Sequence, residues 1–258
     1  MVYKPTFLHQ NQPLNCCMVQ TDRVDTARRL ARDAAFDGCD AYGFQMECLD
    51  KNAHTEGDIR GIFSFMDHKP IYVTNYRFQQ NAGQTDEELA EGLFLLLRCG
   101  ATLVDIMGDY YCPTPGELTM DAQAIARQKE LISRVHAAGG EVLMSSHVLK
   151  FTPAEEVLRI AKEHQARGAD ISKIVTAANS VEEEVENLRI ISLLKKELDI
   201  PFLFLCGGSH CQLVRTIGPM LGCCMWLTVH EQTNTSTFAQ PNTRAIRTIA
   251  DNFSYTNY

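Results

Sequence analysis

Short apolar runs alternate with amphipathic stretches along the whole chain. Eight runs of five to seven residues have the composition of buried strands, and the stretches between them have the period of amphipathic helices. The predicted strands are residues 14–19, 40–46, 71–76, 102–107, 142–146, 171–176, 202–206 and 223–229.

Capping signals mark the ends of several predicted helices. Thr85 and Glu88 have the spacing of a capping box, and the same spacing recurs at 152–155 and 180–183. Glycines are expected to end helices just before the next strand. They are Gly38, Gly100, Gly139, Gly140 and Gly168.

Apolar strands that alternate with helices predict a parallel sheet covered by helices. Eight such units in 258 residues fit an α/β protein with a single (β/α)8 TIM barrel better than an open doubly wound sheet. No linker-like segment interrupts the series, so we expect one domain over residues 1–258. The sequence contains neither a GxGxxG nor a GxxxxGK stretch, which argues against dinucleotide and P-loop binding.

Charge and hydropathy exclude several partners. The 24 Lys and Arg against 32 Asp and Glu give a net charge of −8, which is unfavourable for binding nucleic acid or an anionic membrane. No stretch approaches the ~20 apolar residues that span a bilayer. Residues 1–15 lack the apolar core of a signal peptide, so we expect a cytoplasmic protein.

The ten cysteines are expected to be reduced thiols that act as small apolar residues. Cys16 and Cys17 in the first strand would approach Cys223 and Cys224 when a barrel closes, so a disulfide or a metal site is the alternative there. A second alternative is a metal site built from the segment 206–211, which contains two cysteines and a histidine.

Lys173 lies in the middle of a predicted buried strand. A lysine that loses its solvation is a suitable nucleophile for forming a Schiff base with a ketone. The alternative is a structural lysine that reaches solvent or pairs with a carboxylate such as Asp170. Replacing this buried amine by alanine is expected to leave no charge stranded, so that stability changes little or rises.

Three further polar residues end predicted strands or follow them. His147 ends the strand before that of Lys173 and is suited to proton transfer, although a lone histidine is more often structural. Arg77 and Arg215 could hold a carboxylate, with surface ion pairs as the alternative. Together these residues predict a site for a carboxylated ketone.

The segment Met-Ser-Ser-His147-Val-Leu-Lys-Phe-Thr-Pro, followed by Gly-Ala-Asp-Ile-Ser-Lys173-Ile, resembles type I 3-dehydroquinate dehydratase. The resemblance extends over about residues 14–249. It implies a homodimeric TIM-barrel lyase of the shikimate pathway or of quinate catabolism. Such an enzyme converts 3-dehydroquinate to 3-dehydroshikimate and needs no metal or organic cofactor.

The resemblance also implies roles for individual residues. It makes Lys173 the imine nucleophile and His147 the general acid and base. It makes Arg77 an active-site arginine and Arg215 the ligand of the substrate carboxylate. Ser236 and Gln240 match a loop that closes over the substrate.

Several positions depart from the family pattern. Where the second strand of the family has Glu-x-Arg-x-Asp, this chain has Gly43, Gln45 and Glu47, and we keep Gln45 as a substrate-binding candidate. Asn81 replaces a family glutamate, and Val148 replaces the acid after the histidine. If dehydroquinate is the substrate, introducing the family pair by Gly43→Glu with Gln45→Arg is expected to restore part of the missing binding.

These departures leave alternatives open. One is a divergent relative acting on another carboxylated ketone, as a class I aldolase or a dehydratase. Another is a catalytically silent barrel that binds a carboxylate.

Overall fold

Eight parallel β-strands form one sheet in the computed structural model, which describes residues 5–66 and 68–253. Every predicted strand is present, with its ends shifted by at most two residues. The strands are β1 (Leu14–Val19), β2 (Ala41–Gln45), β3 (Ile71–Thr74), β4 (Leu103–Met107), β5 (Glu141–His147), β6 (Ile171–Ala177), β7 (Phe202–Gly207) and β8 (Met225–Thr228).

An α-helix follows each strand and covers the outside of the sheet. The helices are α1 (Val24–Phe36), α2 (Glu56–Phe63), α3 (Asp86–Cys99), α4 (Ala122–Ala137), α5 (Ala154–Arg167), α6 (Val181–Glu197), α7 (Gln212–Leu221) and α8 (Thr243–Asp251). Short 3-10 turns at Met46–Cys48, Lys51–Ala53 and Gln79–Asn81 lie in the loops after β2 and β3.

The strands follow the order β7-β6-β5-β4-β3-β2-β1-β8 around the sheet. Because β8 pairs with β1, the sheet curves into a nearly closed barrel. The N–H of Cys224, just before β8, donates to the carbonyl of Phe202 at 2.8 Å and links the two outer strands. This architecture confirms the predicted (β/α)8 barrel, while the extent of the domain over the whole chain stays a prediction.

The predicted capping boxes form to different degrees. At α3 the Thr85 hydroxyl accepts the N–H of Glu88 at 3.2 Å, and the Glu88 carboxylate accepts the N–H of Thr85 at 2.8 Å, as predicted. Ser180 caps α6 by accepting the N–H of Glu183, whose carboxylate binds a different backbone N–H. The box predicted at Thr152 is wrong, because its hydroxyl donates to a loop carbonyl and α5 begins without a side-chain cap.

The ten cysteines lie within the described residues, where none is joined in a disulfide and most are buried. Burial raises the pKa of Cys17, Cys206 and Cys223 to about 12, so these thiols are protonated at neutral pH. Within residues 5–66 and 68–253, no group of three or more His, Cys, Asp or Glu side chains has an arrangement that could hold a metal. None of the helices there is long and apolar enough to cross a membrane.

Candidate active site

A cavity of about 380 Å³ opens at the carboxyl ends of the strands. Ligands and chemistry in TIM barrels occur at this end of the barrel. Of the predicted site residues, the cavity is lined by Lys173, His147, Arg215, Gln45 and Gln240. Another cavity of about 390 Å³ lies between the N-terminal segment and α7, and none of the predicted residues lines it.

Lys173 projects from β6 into the barrel and is only 4% exposed. Its Nζ donates to the hydroxyls of Tyr72 at 3.0 Å and Tyr76 at 2.6 Å. It also lies 3.2 Å from Oδ2 of Asp105 on β4. The carboxylate that pairs with Lys173 is therefore Asp105, and the suggested pairing with Asp170 is wrong. Asp170 instead binds a histidine and a backbone N–H on the outside of the barrel.

Asp105 is completely enclosed by hydrogen-bond donors. The hydroxyls of Tyr72, Tyr76 and Ser145 each donate to its carboxylate at 2.5 Å. Burial acts to raise the pKa of Asp105, but the Lys173 ammonium and these three hydroxyls outweigh it and hold the pKa below its usual value. Asp105 therefore places a negative charge next to Nζ.

This ion pair changes the expected effect of removing the lysine. Without Lys173, the Asp105 carboxylate would be buried with no counterion, which costs several kcal/mol or forces the group to take up a proton. The expectation that Lys173→Ala strands no charge is therefore wrong.

His147 at the end of β5 is held by Glu117, a loop residue that no sequence pattern marks as part of the site. Oε2 of Glu117 lies 2.6 Å from Nδ1 of His147 and accepts the backbone N–H of the same residue at 3.2 Å. The His147 ring also packs edge-on against Tyr76, with the ring centroids 5.3 Å apart. The pairing at Nδ1 leaves Nε2 available for proton transfer to a bound molecule.

The loop between β4 and α4 positions Glu117. Arg167 donates to the carbonyls of Gly108 at 2.8 Å and Thr119 at 2.7 Å, which fixes both ends of the loop. Glu117 itself has a φ of +52°, a left-handed conformation that costs free energy in a residue other than glycine. A side chain at Gly108 would place its Cβ 2.6 Å from the Glu117 carbonyl oxygen, so the loop requires glycine there.

Arg215 is 6% exposed and lines the cavity. Its Nε donates to the carbonyl of Cys206 at 2.8 Å. Burial lowers the pKa of Arg215, but an arginine starts high enough to remain cationic. In the part of the chain that the structure describes, no Asp or Glu pairs with Arg215. A buried cation without a carboxylate partner is suited to binding the carboxylate of a ligand.

The structure does not bring Arg77 into the cavity. Its guanidinium binds both oxygens of Asp86, at 2.6 and 2.9 Å, and Oδ1 of Asp109 at 2.7 Å. Arg77 lies in a bend after the end of β3, and its two carboxylate partners hold its guanidinium at a place that does not line the cavity. The sequence predicted Arg77 at the cavity, whereas the neighbouring residue Tyr76 lines it.

The three remaining candidates have different surroundings. Gln45 lines the cavity, and its Oε1 accepts a hydrogen bond from Gln20 at 2.5 Å. Gln240 also lines it, and its buried Oε1 has no hydrogen-bond partner among the described residues. Ser236 does not line the cavity, and its hydroxyl accepts the N–H of Thr233 at 3.0 Å in a turn.

Met18 occupies the place that a side chain at position 43 would need. A Cβ built on Gly43 would lie 2.1 Å from Sδ of Met18. Met18 also lines the cavity, together with Leu205 and Leu227. Beside Gly43, where the family pattern has a glutamate, the cavity is therefore lined by the apolar side chain of Met18.

The fold and the site define a class of protein. A TIM barrel that gathers a buried lysine, a histidine–carboxylate pair and an unpaired arginine at its mouth has the arrangement of an enzyme for carboxylated carbonyl compounds. A profile of the type I 3-dehydroquinase family matches residues 15–255. The chain therefore belongs to the type I 3-dehydroquinase family, whose members are carbon–oxygen lyases, and this confirms the predicted family and enzyme class.

Individual relatives agree with this assignment. The 3-dehydroquinate dehydratase of Syntrophobacter fumaroxidans is 24% identical over 198 residues, which is 74% of this chain and 75% of that protein. The enzyme of the same name from Alkaliphilus oremlandii is 31% identical over 96 residues, only 36% of this chain and 38% of that protein.

Solved structures show the same fold. The 3-dehydroquinate dehydratase of Geobacillus kaustophilus matches with a TM-score of 0.77 at 19% identity, over 94% of this chain and 93% of that one. The type I enzyme of Clostridium difficile, solved with covalently modified comenic acid, also has a TM-score of 0.77, at 15% identity, over 94% of this chain and 92% of that one.

Proposed function

We propose that this protein is a Schiff-base-forming dehydratase that converts 3-dehydroquinate to 3-dehydroshikimate. The observation that carries the proposal is that the buried Lys173 lines the same cavity as the paired side chains of His147 and Glu117 and as Arg215. The family and the names of its members supply the substrate.

Lys173 and His147 divide the chemistry. Nζ of Lys173 condenses with the substrate ketone and releases water, which leaves a cationic iminium. The iminium withdraws electrons and acidifies the adjacent C–H, whose proton passes to Nε2 of His147. The electron pair of that C–H bond then expels the β-hydroxyl, which leaves as water with the proton from His147. Hydrolysis of the iminium frees the enone and restores Lys173.

Arg215 binds the carboxylate and fixes the orientation of the substrate. The amides of Gln45 and Gln240 are positioned to bind its hydroxyl groups. Neither Arg77 nor Ser236 is part of the proposal, because neither lines the cavity.

A cytoplasmic homodimer and a place in the shikimate pathway also belong to the proposal. The family resemblance and the acidic, ordinary globular composition support them. Light scattering during size-exclusion chromatography tests the dimer, because a monomeric mass at micromolar concentration would contradict it.

Borohydride trapping tests the central step. After incubation with 3-dehydroquinate and reduction, the intact mass should increase by one reduced substrate, and peptide mapping should place the adduct on Lys173. A control that removes the amine without stranding a charge is the double change Lys173→Met with Asp105→Asn. It should fold and form no adduct, and an adduct at another lysine would contradict the proposal.

A second candidate is a dehydratase or aldolase for a carboxylated ketone with fewer hydroxyl groups. The apolar wall of Met18, Leu205 and Leu227 favours it. Trapping that succeeds with other keto acids but fails with 3-dehydroquinate would support this candidate.

A further inference from the structure

The hydroxyl of Tyr76 contacts both members of the buried ion pair. It accepts a hydrogen bond from Nζ of Lys173 at 2.6 Å and donates one to Oδ2 of Asp105 at 2.5 Å. The Tyr76 ring is also in edge-on contact with His147. No hydrogen bond joins Lys173 directly to His147 within the described residues, whereas Tyr76 contacts both.

The hydroxyl of Tyr72 also contacts both Lys173 and Asp105, but Tyr72 lies at a different position in the barrel. It lies within β3, is completely buried and donates to Asp105 at 2.5 Å. Tyr76 follows the end of β3 and lies nearer the mouth, where a substrate enters. Its position is fixed by Asn81, which donates to its carbonyl at 2.9 Å, and by stacking on Phe78.

Imine formation requires a proton relay between nitrogen and oxygen. The Lys173 ammonium, which is paired with Asp105, must first give up a proton, and the neutral amine then attacks the ketone carbon, so that the N–C bond forms and the C–O bonds break. Two protons pass from nitrogen to the departing oxygen, which leaves as water, and the iminium keeps the positive charge. No proton is gained or lost overall, so the step needs a group that contacts Nζ and reaches the substrate oxygen.

We propose that Tyr76 is a catalytic residue for imine formation on Lys173, with its hydroxyl carrying both protons from Nζ to the substrate oxygen. The inference rests on the proposed function of Lys173. In each transfer the Tyr76 oxygen accepts a proton from nitrogen as its own proton passes to the substrate oxygen. Asp105 keeps its other donors, Tyr72 and Ser145, while the Tyr76 hydroxyl turns toward the substrate.

The electrostatics of the site suit a concerted relay. Burial and the neighbouring Asp105 charge raise the pKa of Tyr76 well above its usual value. A free phenolate is therefore unfavourable, and the hydroxyl gives up its proton only as it receives another.

The variant Tyr76→Phe tests the role by the rate of adduct formation. The enzyme is mixed with 3-dehydroquinate, quenched with borohydride at increasing times and analysed by intact mass. General acid–base catalysis typically contributes ~10²–10⁴-fold, so the adduct should form at least about a hundredfold more slowly. The variant His147→Ala should still form the adduct and should slow chiefly the later proton transfer, so that the adduct accumulates.

Tyr110→Phe is the matched control. Tyr110 is another buried tyrosine, it does not line the cavity, and its hydroxyl has no hydrogen-bond partner in the described part of the chain. This variant should form the adduct and turn over at the parental rates. If Tyr110→Phe slowed adduct formation as much as Tyr76→Phe, the effect would be structural and the inference would be wrong.

The possible failures are distinguishable. Equal adduct rates in the parent and Tyr76→Phe would overturn the role of Tyr76 alone. No adduct in the parent would overturn both this role and the proposed function.

If Tyr76→Phe does not fold, 3,5-difluorotyrosine at position 76 keeps the hydroxyl but makes it more acidic. Because both proton transfers pass through this hydroxyl, the rate of adduct formation at a fixed pH should then differ from the parental rate, and an unchanged rate would overturn the inference.

Discussion

Oε2 of Glu117 lies 2.6 Å from Nδ1 of His147 and 3.2 Å from its backbone nitrogen, so one carboxylate fixes both the ring and the end of its strand. The hydrogen bond at one imidazole nitrogen decides which tautomer is present. With a proton on Nδ1 directed at Glu117, Nε2 is the basic nitrogen. Glu117 thus provides the carboxylate partner that Val148, the residue after the histidine, does not.

We predict that Glu117→Gln slows turnover about tenfold to a hundredfold while KM changes little. The new amide can donate to Nδ1 and stabilise the tautomer in which Nε2 carries the proton and no longer acts as a base. Steady-state kinetics and borohydride trapping check this, because the adduct on Lys173 should accumulate. The exposed Glu130→Gln on α4 is the control and should match the parent. A parental kcat in Glu117→Gln would show that the pairing has no role in proton transfer.

The two arginines should respond in opposite ways to replacement by methionine. Arg215→Met removes the cation that faces the cavity, and a lost charge-assisted hydrogen bond of ~1.5–3 kcal/mol should raise KM about tenfold to a hundredfold. Its stability should not fall, because no carboxylate is stranded. Arg77→Met leaves Asp86 and Asp109 without their partner and should lower the melting temperature without raising KM. The reverse pattern would restore Arg77 as the substrate-binding arginine.

The buried carboxyl group of Glu47 should make the free energy of unfolding depend on pH. It is completely buried next to Thr74, and burial raises its pKa to about 7 from a usual value near 4.5. Between these two pH values the folded protein holds a proton that the unfolded chain has lost. Stability is therefore highest below the unfolded pKa and falls as the pH rises toward 7. The shift corresponds to about 3 kcal/mol.

The variant Glu47→Gln isolates this contribution. Urea unfolding at pH 5 and pH 8 should show the variant gaining about 2 to 3 kcal/mol relative to the parent between the two conditions. Other titrating groups are common to both proteins and cancel in the difference. A difference between variant and parent that stays constant with pH would mean that Glu47 is ionised throughout.

Sequence periodicity predicted the barrel and its central residues for a physical reason. A buried strand tolerates few charges, so Lys173 in β6 was recognisable as a candidate functional residue. The same reasoning would have identified Asp105, which lies in β4, the strand that precedes the strand of His147. Glu117 carried no such signal, because it lies in a loop and its approach to His147 depends on a left-handed backbone. Arg77 was predicted to face the site because it follows a predicted strand. The direction of a side chain just beyond a strand depends on where that strand ends, and the sequence does not give that end to the residue.

The side chain of Met18 determines whether the polar residues of the family pattern can be introduced at positions 43 and 45. The double change Gly43→Glu with Gln45→Arg was expected to recover binding of dehydroquinate. The structure opposes this, because the new Cβ would lie 2.1 Å from Sδ of Met18. The end of the Met18 side chain is flexible and could move, but it lines the cavity and would take up the space that the substrate needs.

We therefore predict that the double variant is no better than the parent with 3-dehydroquinate and that adding Met18→Ala makes the pair effective. Two recovered polar contacts of ~1 kcal/mol each should raise kcat/KM about tenfold or more, chiefly through a lower KM. Met18→Ala alone is the control: it opens the space without supplying polar groups, so kcat/KM should not increase. Ultraviolet absorbance of the enone product provides the assay. An improvement in the double variant that retains Met18 would show that Met18 can move without filling the substrate space, and the steric argument would then be wrong.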